Sequence, residues 1–370
     1  MRTGILWCAA LAAVGSAQGP GTSEKQPLFR TRTRIVEVTV QATRSNGSAV
    51  EDLTPGELRL FDNNREQAIA TFEMVRAAVA EAKSTGQTGP VVRRANRLSI
   101  LLLDALNTDW SDRIYARRAA ARVLEQIPAG ERIAIFVLGD SLRLLHDFSS
   151  DSALLKELVQ RFSGEVPRGN PDSAGNPLAA EFSYSDLLRS QAPNSGPWAA
   201  FRQQQKILQT FEALTAIARL VKGAPGQKNL LWLSAGFPLS VNGPRGPLDS
   251  DSFHDEALRT TRELNAANVT IYPIDARGLS VSPRAYINIG TMQELAEQTG
   301  GKAYYNSNDL ASMARSALED SRRGYVLTYV PSDLQDDGKY HSIRLRTARR
   351  GVQLRYRPGY YADTRKAPRP

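Results

Sequence analysis

The sequence predicts an α/β fold: a doubly wound, mostly parallel sheet inserted in a small β-sandwich that the N- and C-terminal segments build together. Three observations carry this. Leu98–Asp104 (L-S-I-L-L-L-D) is an apolar run of strand length, and a strand this apolar has both faces covered, as at the centre of a parallel sheet flanked by helices. From Leu98 to about Ser321, strand-like and helix-like runs alternate, the pattern of a doubly wound domain. The two flanking segments are both β-rich, and each is too small to build a core alone, so they are expected to pair.

Residues 31–76 are the N-terminal half of the sandwich. Ile35, Val36, Val38 and Val40 give a strand, Ser45-Asn46-Gly47-Ser48 a hairpin-type turn, and Glu57–Asp62 and Ala68–Met74 further strands. Residues 77–96 read as a linker, with Glu81–Pro90 polar and low in β-propensity. Residues 97–323 are the α/β domain. Its strands are expected at Leu98–Asp104, Arg132–Leu138, Asn229–Ser234 and Val269–Asp275, with a shorter one near Lys302–Tyr305. Helices are expected at Ser111–Gln126, Ser152–Phe162, Ala200–Lys222, Asp251–Ala267, Thr291–Gln298 and Asn308–Ser321. Ser150-Asp151 and Ser307-Asn308-Asp309 supply N-cap chemistry for two of them.

A Gly-, Pro-, Asn- and Ser-rich stretch, residues 164–198, interrupts the domain as a long loop insertion. Residues 324–361 return to strands at Tyr325–Val330, Tyr340–Thr347 and Val352–Tyr356, and complete the sandwich. Chain ends commonly lie close together, which makes such an insertion tolerable. Residues 362–370 are expected to be a disordered tail.

The first seventeen residues read as a secretory signal peptide: Arg2, an apolar run Ile5–Val14, then small residues Gly15-Ser16-Ala17. The single cysteine, Cys8, lies inside it. The mature chain therefore has no disulfide, no cysteine nucleophile and no zinc-thiolate cluster. No later apolar run reaches the ~20 residues of a transmembrane helix. The expected location is the periplasm or outside the cell. Without Arg2 the chain has 46 basic and 38 acidic residues, a charge of +8. Much of the excess (Arg344, Arg346, Arg355, Arg357) alternates with Ile343, Leu345 and Leu354, which fits solvated strand faces better than a nucleic-acid surface.

Ligands of doubly wound sheets bind outside the carboxyl ends of the strands, where Asp104 sits. An acid at a strand tip, followed by Asn107 and Thr108, makes half of a divalent-cation site. A rival constellation is a serine hydrolase built from Ser234, Asp275 and His341, which follow that fold's chain order. Trp232 and Pro238 oppose it: the elbow's first glycine is missing, and the helix that should start at once is broken by proline. No phosphate loop, dinucleotide fingerprint or metalloprotease helix is present.

Five stretches, L-L-L-D-A-L-N-T (101–108), G-Q-K-N-L-L-W-L-S-A-G-F-P (226–238), N-V-T-I-Y-P-I-D-A-R-G-L (268–279), L-A-E-Q-T-G-G-K-A-Y-Y-N-S-N-D-L (295–310) and Y-V-L-T-Y-V-P (325–331), together resemble the von Willebrand factor type A-related proteins found widely in acidobacterial genomes. The resemblance spans nearly the whole mature chain. It implies a von Willebrand A domain used for protein contact and adhesion. Better-known members hold Mg2+ through D-x-S-x-S, a threonine on a second loop and a later aspartate, leaving a position open for a partner's acidic residue. Asp104 matches the first position of that metal-ion-dependent adhesion site and Thr108 the last serine position. Leu106 stands at the middle serine position, and Ser234 or Ala235 where the aspartate is expected.

The resulting expectation is an exported, non-enzymatic module whose partner is a protein. Its contact face comprises Asp104, Asn107, Thr108, Ser234 and Asp275, with a degenerate Mg2+ site at Asp104 and Thr108 or with no metal.

Overall fold

The computed structural model describes residues 35–75, 98–125, 127, 131–161, 197–243, 246–279, 283–333 and 338–362. The expected leader, linker, long insertion and tail fall outside these residues, apart from Pro197, Trp198 and Ala362.

The chain first lays down β1 (Val36–Arg44), β2 (Leu58–Asp62), β3 (Arg65–Gln67) and β4 (Ile69–Val75). The central region runs β5 (Leu98–Asp104), α1 (Trp110–Glu125), β6 (Arg132–Leu138), β7 (Leu142–Ser149), α2 (Ser152–Arg161) and α3 (Pro197–Val221). It continues with β8 (Lys228–Ser234), β9 (Ser240–Gly243), β10 (Gly246–Ser252), α4 (His254–Ala266), β11 (Val269–Asp275), α5 (Pro283–Thr299) and α6 (Leu310–Arg322). The chain closes with β12 (Gly324–Tyr329), β13 (Tyr340–Thr347), β14 (Val352–Tyr356) and β15 (Gly359–Tyr361).

The central sheet has the order β11-β8-β5-β6-β7, parallel except for β7, which pairs antiparallel with β6 at one edge. Strand β5 is central and buried along its whole length. Period-two alternation sends Ile100 and Leu102 to one face, against α3 and α4, and Leu101 and Leu103 to the other, against α1 and α6. This is the doubly wound arrangement expected of the sequence. No helix among the described residues is long and apolar enough to cross a membrane.

The terminal segments form two four-stranded sheets, β14-β1-β12-β4 and β15-β13-β2-β3, each mixing strands from both ends of the chain. They share one core of Val38, Val40, Leu60, Leu327, Tyr329 and Leu345. The inserted architecture read from the sequence is therefore present.

Four local expectations are corrected. Strand β7 was not expected, because in L-R-L-L-H-D-F-S the polar residues break the apolar run of a buried strand; as an edge strand it is only half covered. Helix α4 begins at His254 rather than Asp251, because Ser250–Ser252 pair with Ser240–Asn242 as a hairpin. Helix α5 begins at Pro283, eight residues before Thr291, with its first turns carrying the exposed Tyr286 and Ile287 that hide the helical period. Near Lys302–Tyr305 there is a single bridge, Ile274 to Tyr304, instead of a strand.

One surface cluster ties the sandwich halves. The Thr54 backbone N–H and hydroxyl donate to Glu57 Oε2 at 2.8 and 2.9 Å, and Arg349 Nε donates to Glu57 Oε1 at 2.7 Å. The Arg349 guanidinium, with the Thr54 donors, holds the Glu57 carboxyl at about 2, against an ordinary 4.5. A carboxylate lowered in the folded state contributes stability that is complete above its unfolded value and is lost as pH falls through the folded one. Thermal melts between pH 5 and pH 2 (roughly the span of the two values) should therefore show a loss in the wild type that is flatter in Glu57→Gln. Parallel profiles would refute the assignment.

Candidate functional site

Asp104 ends β5 at the carboxyl edge of the central sheet and is 3% exposed. The parallel register sets Leu102 beside Trp232 and Leu103 beside Leu233, so Trp232 and Ser234 of β8 share the face of Asp104. The carboxylate accepts five hydrogen bonds. Leu106 N–H and Asn107 N–H donate to Oδ1 at 3.1 and 2.9 Å, turning the chain sharply out of the strand. Asn107 Nδ2, Trp232 Nε1 and Ser234 Oγ donate to Oδ2 at 2.8, 3.1 and 2.6 Å. A carboxylate offers about four lone-pair sites, so both oxygens are saturated. Burial pushes the Asp104 carboxyl above the usual aspartate range, opposed by the bonds from Ser234, Asn107 and Trp232.

The loop after Asp104 is locked from both sides. Thr108 is buried, and its hydroxyl accepts from Ala235 N–H at 3.1 Å. Asn107 Nδ2 also donates to Thr210 Oγ1 of α3 at 2.8 Å, and the Thr210 hydroxyl donates to the Lys206 carbonyl at 2.7 Å. Arg113 Nε donates to the Thr108 carbonyl at 2.9 Å, and its Nη2 to the Ala105 carbonyl. Lys206 stands close to Asp109, Arg113 and Asp104; burial of its ammonium lowers its pKa, and Asp109 opposes the shift.

Asp275 lies beside Ser234 in register, on the neighbouring strand, and is fully buried. Its oxygens are held by Arg277, whose backbone N–H and Nε donate to Oδ1 at 3.0 and 2.8 Å and whose Nη2 donates to Oδ2 at 2.8 Å. Asn288 of α5 closes the edge by donating Nδ2 to the carbonyls of Ala235 and Gly236, both at 3.1 Å.

Of the residues expected at the site, Asp104, Asn107, Thr108 and Ser234 meet in one network, and Asp275 adjoins it with its charge already paired. His341 does not join them. It sits in β13 of the sandwich, where its Nδ1 donates to Asp62 Oδ1 at 3.0 Å and its ring stacks on Tyr360 at 5.0 Å. Ser234 Oγ donates to Asp104 and accepts from Gly236 N–H at 2.9 Å, with no histidine beside it. The hydrolase triad is thus not assembled.

The implied Mg2+ ligands do not fit a metal. A hard cation needs oxygen lone pairs converging in an octahedron at about 2.1 Å. The lone pairs of Asp104 are spent on five donors, and Thr108 is bonded to Ala235. The described residues contain no group of three or more His, Cys, Asp or Glu side chains able to hold an ion. Ser234, standing near the place of the expected aspartate, adds a proton donor where a metal site needs an acceptor.

Trp232, Thr210, Arg113 and Lys206 are parts of the site that sequence reasoning missed. In the sequence Trp232 stands out only as the residue in place of a nucleophile elbow's first glycine. The other three lie on helices whose residue types carry no signal until the helices are docked.

No protein-family profile matches the chain, and no curated protein matches it in sequence. Several solved structures resemble it distantly. A von Willebrand factor type A protein from Catenulispora acidiphila is 12% identical, covering 90% of this chain and 74% of that one with a TM-score of 0.37. A mutant of the PilB minor pilin from Streptococcus sanguinis is 10% identical, covering 77% of each chain with a TM-score of 0.39. The conserved hypothetical protein BatB from Bacteroides thetaiotaomicron is 13% identical, covering 61% of this chain and 96% of that one with a TM-score of 0.32. The assignment of the fold rests on the strand order and helix placement described above.

Proposed function

We propose that this chain is an exported, non-enzymatic module of the von Willebrand A-related type that binds a protein partner through the carboxyl edge of its central sheet, without a metal. The observation that carries this reading is the saturated carboxylate. Asp104 organises the edge from within, through Leu106, Asn107, Trp232 and Ser234. Recognition is left to the rim, where Asp109 and Lys206 supply charge and Leu279, Tyr286 and Ile287 expose apolar surface. A rim of mixed aromatic, aliphatic and charged side chains on a rigid frame is suited to protein contact. Export is proposed from residues 1–17 alone.

Calorimetric titration with Mg2+, Mn2+ and Ca2+ should give no binding heat, and the melting temperature should be the same with and without chelator. A partner captured from envelope extract should stay bound in chelator and be lost on Ile287→Ser or Tyr286→Ser, substitutions at exposed positions that leave the melting temperature in place. Heat or a thermal shift with any of the three cations overturns the metal-free mechanism. Retention of the partner by both rim variants overturns the contact face.

A further inference from the structure

Four arginines of the C-terminal segment, Arg344, Arg346, Arg355 and Arg357, alternate with apolar residues, and the fold uses them in two ways. Arg355 is bonded to Asp320, and Arg357 donates to the backbone carbonyls of Glu37 and Asn265. Arg344 and Arg346 face outward. Along β13, His341, Ile343 and Leu345 are buried toward the sandwich core, while Tyr340, Ser342, Arg344 and Arg346 are exposed on the outer face of the sheet. Among the described residues, neither Arg344 nor Arg346 forms an ion pair.

The register extends this strip onto the neighbouring strands. Arg344 lies opposite Phe61 of β2, and Arg346 lies opposite Arg59. The Arg59 and Arg346 guanidiniums each stand 5.4 Å from the centre of the Phe61 ring, which holds both in place. Arg59 donates Nε and Nη2 to Glu66 of β3 at 2.8 and 2.6 Å. Like charges directly opposite each other on a sheet are destabilising, yet the carboxylate of Glu66 answers only one of three guanidiniums here. Arg350, exposed in the turn after β13, adds a further cation at this end. At the other end, about 20 Å along the strand, Tyr340 is 42% exposed and leans on Tyr361 with ring centres 5.1 Å apart.

We infer that this outer sheet face docks on an anionic lipid bilayer, with Arg344 and Arg346 against headgroup phosphates and Tyr340 and Phe61 at headgroup level. The cations spread across β13 and β2 on an open face, which suits a planar surface, whereas a linear polyanion is tracked by a groove. The guanidinium forks match phosphate oxygens in pairs. Aromatic rings beside cations are the side chains that settle at a membrane interface. The same rings make poor platforms for stacked bases, because Phe61 already carries two guanidiniums and Tyr361 has that of Arg262 over its ring at 3.7 Å. The docking face belongs to the sandwich and is separate from the carboxyl edge of the central sheet.

The test is co-sedimentation of the mature chain with vesicles of phosphatidylcholine, alone or mixed with phosphatidylglycerol. The chain should pellet with the mixed vesicles only, and should be released as salt rises, because the attraction is screened. Arg344→Glu combined with Arg346→Glu should weaken this binding about tenfold or more. Arg118→Glu combined with Arg122→Glu, at exposed positions of α1, changes the net charge equally and should leave binding in place. Equal pelleting with both kinds of vesicle overturns the proposal, as does an equal loss in the two double variants. A single-stranded oligonucleotide that binds this face when the mixed vesicles do not assigns it to a linear polyanion, and overturns the proposal too. Should the Arg344 and Arg346 variant not fold, a fluorophore on Ser342→Cys decides, since the mature chain has no other cysteine. Its emission should shift to the blue on mixed vesicles alone, and no shift refutes the docking face.

Discussion

Asp104→Ala is expected to cost about 3–5 kcal/mol of folding stability, because it leaves several buried donors unsatisfied at about 1–3 kcal/mol each. The alanine strands the N–H groups of Leu106 and Asn107, the Asn107 amide, the Trp232 indole and the Ser234 hydroxyl in a dry site. Urea titration should show a lower midpoint with an unchanged slope. Asp104→Asn should lose less than the alanine, since it keeps one acceptor oxygen, but it should still lose stability, because its new amide sets a donor against the donors of Trp232 and Ser234. The asparagine also removes a pH dependence. Burial raises the folded-state pKa of Asp104, so its share of stability is complete below the unfolded value and declines as pH rises through the folded one. An alanine variant as stable as the wild type would mean that the carboxylate is a poised ligand and not a structural hub. The metal-free reading would then fall with it.

Asp62→Ala should produce a loss of similar size, about 3–5 kcal/mol, in the sandwich instead. Asp62 is 4% exposed and gathers three side chains from the C-terminal segment. Tyr329 and Tyr360 hydroxyls donate to its Oδ2 at 2.9 and 2.8 Å, and His341 Nδ1 donates to Oδ1 at 3.0 Å. Removing the acceptor strips the two phenols and the imidazole of their bonds to it, while Tyr360 and His341 keep their mutual contact at 3.3 Å. Combining Asp62→Ala with Tyr360→Phe should cost less than the sum of the two, because the second change removes a donor that the first has already stranded. Hydrogen exchange should speed up in β1 and β12 before β5 and β8. Strict additivity, or exchange that quickens equally in both layers, would show that the cluster does not govern the sandwich.

The layered architecture was legible because burial on two faces forces continuous apolar runs, as in Leu98–Asp104 and Val269–Asp275, and these need no tertiary context to recognise. Strand β7 was not legible, because an edge strand with one covered face mixes polar and apolar residues like a loop. Asp104 was legible as a strand-tip acid. Its role was not, since two of its five donors, Trp232 and Ser234, come from a strand more than a hundred residues later, and only the β5–β8 register brings them onto its face. The same limit applies to Asp275. Nothing in I-D-A-R-G announces that Arg277 folds back onto both its oxygens, which takes the acid away from any metal or partner.

The placement of β1 has a temporal consequence. It is an interior strand, with β12 on one side and β14 on the other, so Val36 pairs with Tyr329 and Arg44 with Val352 across almost the entire sequence. A chain that is synthesised from its N-terminus presents β1 early as a bare ribbon with one apolar face, and its neighbours arrive last. Contacts this distant close slowly, and an unpaired strand edge invites aggregation in the interval. A nascent or clipped chain that lacks β14 keeps one side of β1 open, a signal that proteases and holding chaperones can read, and only a finished chain conceals it.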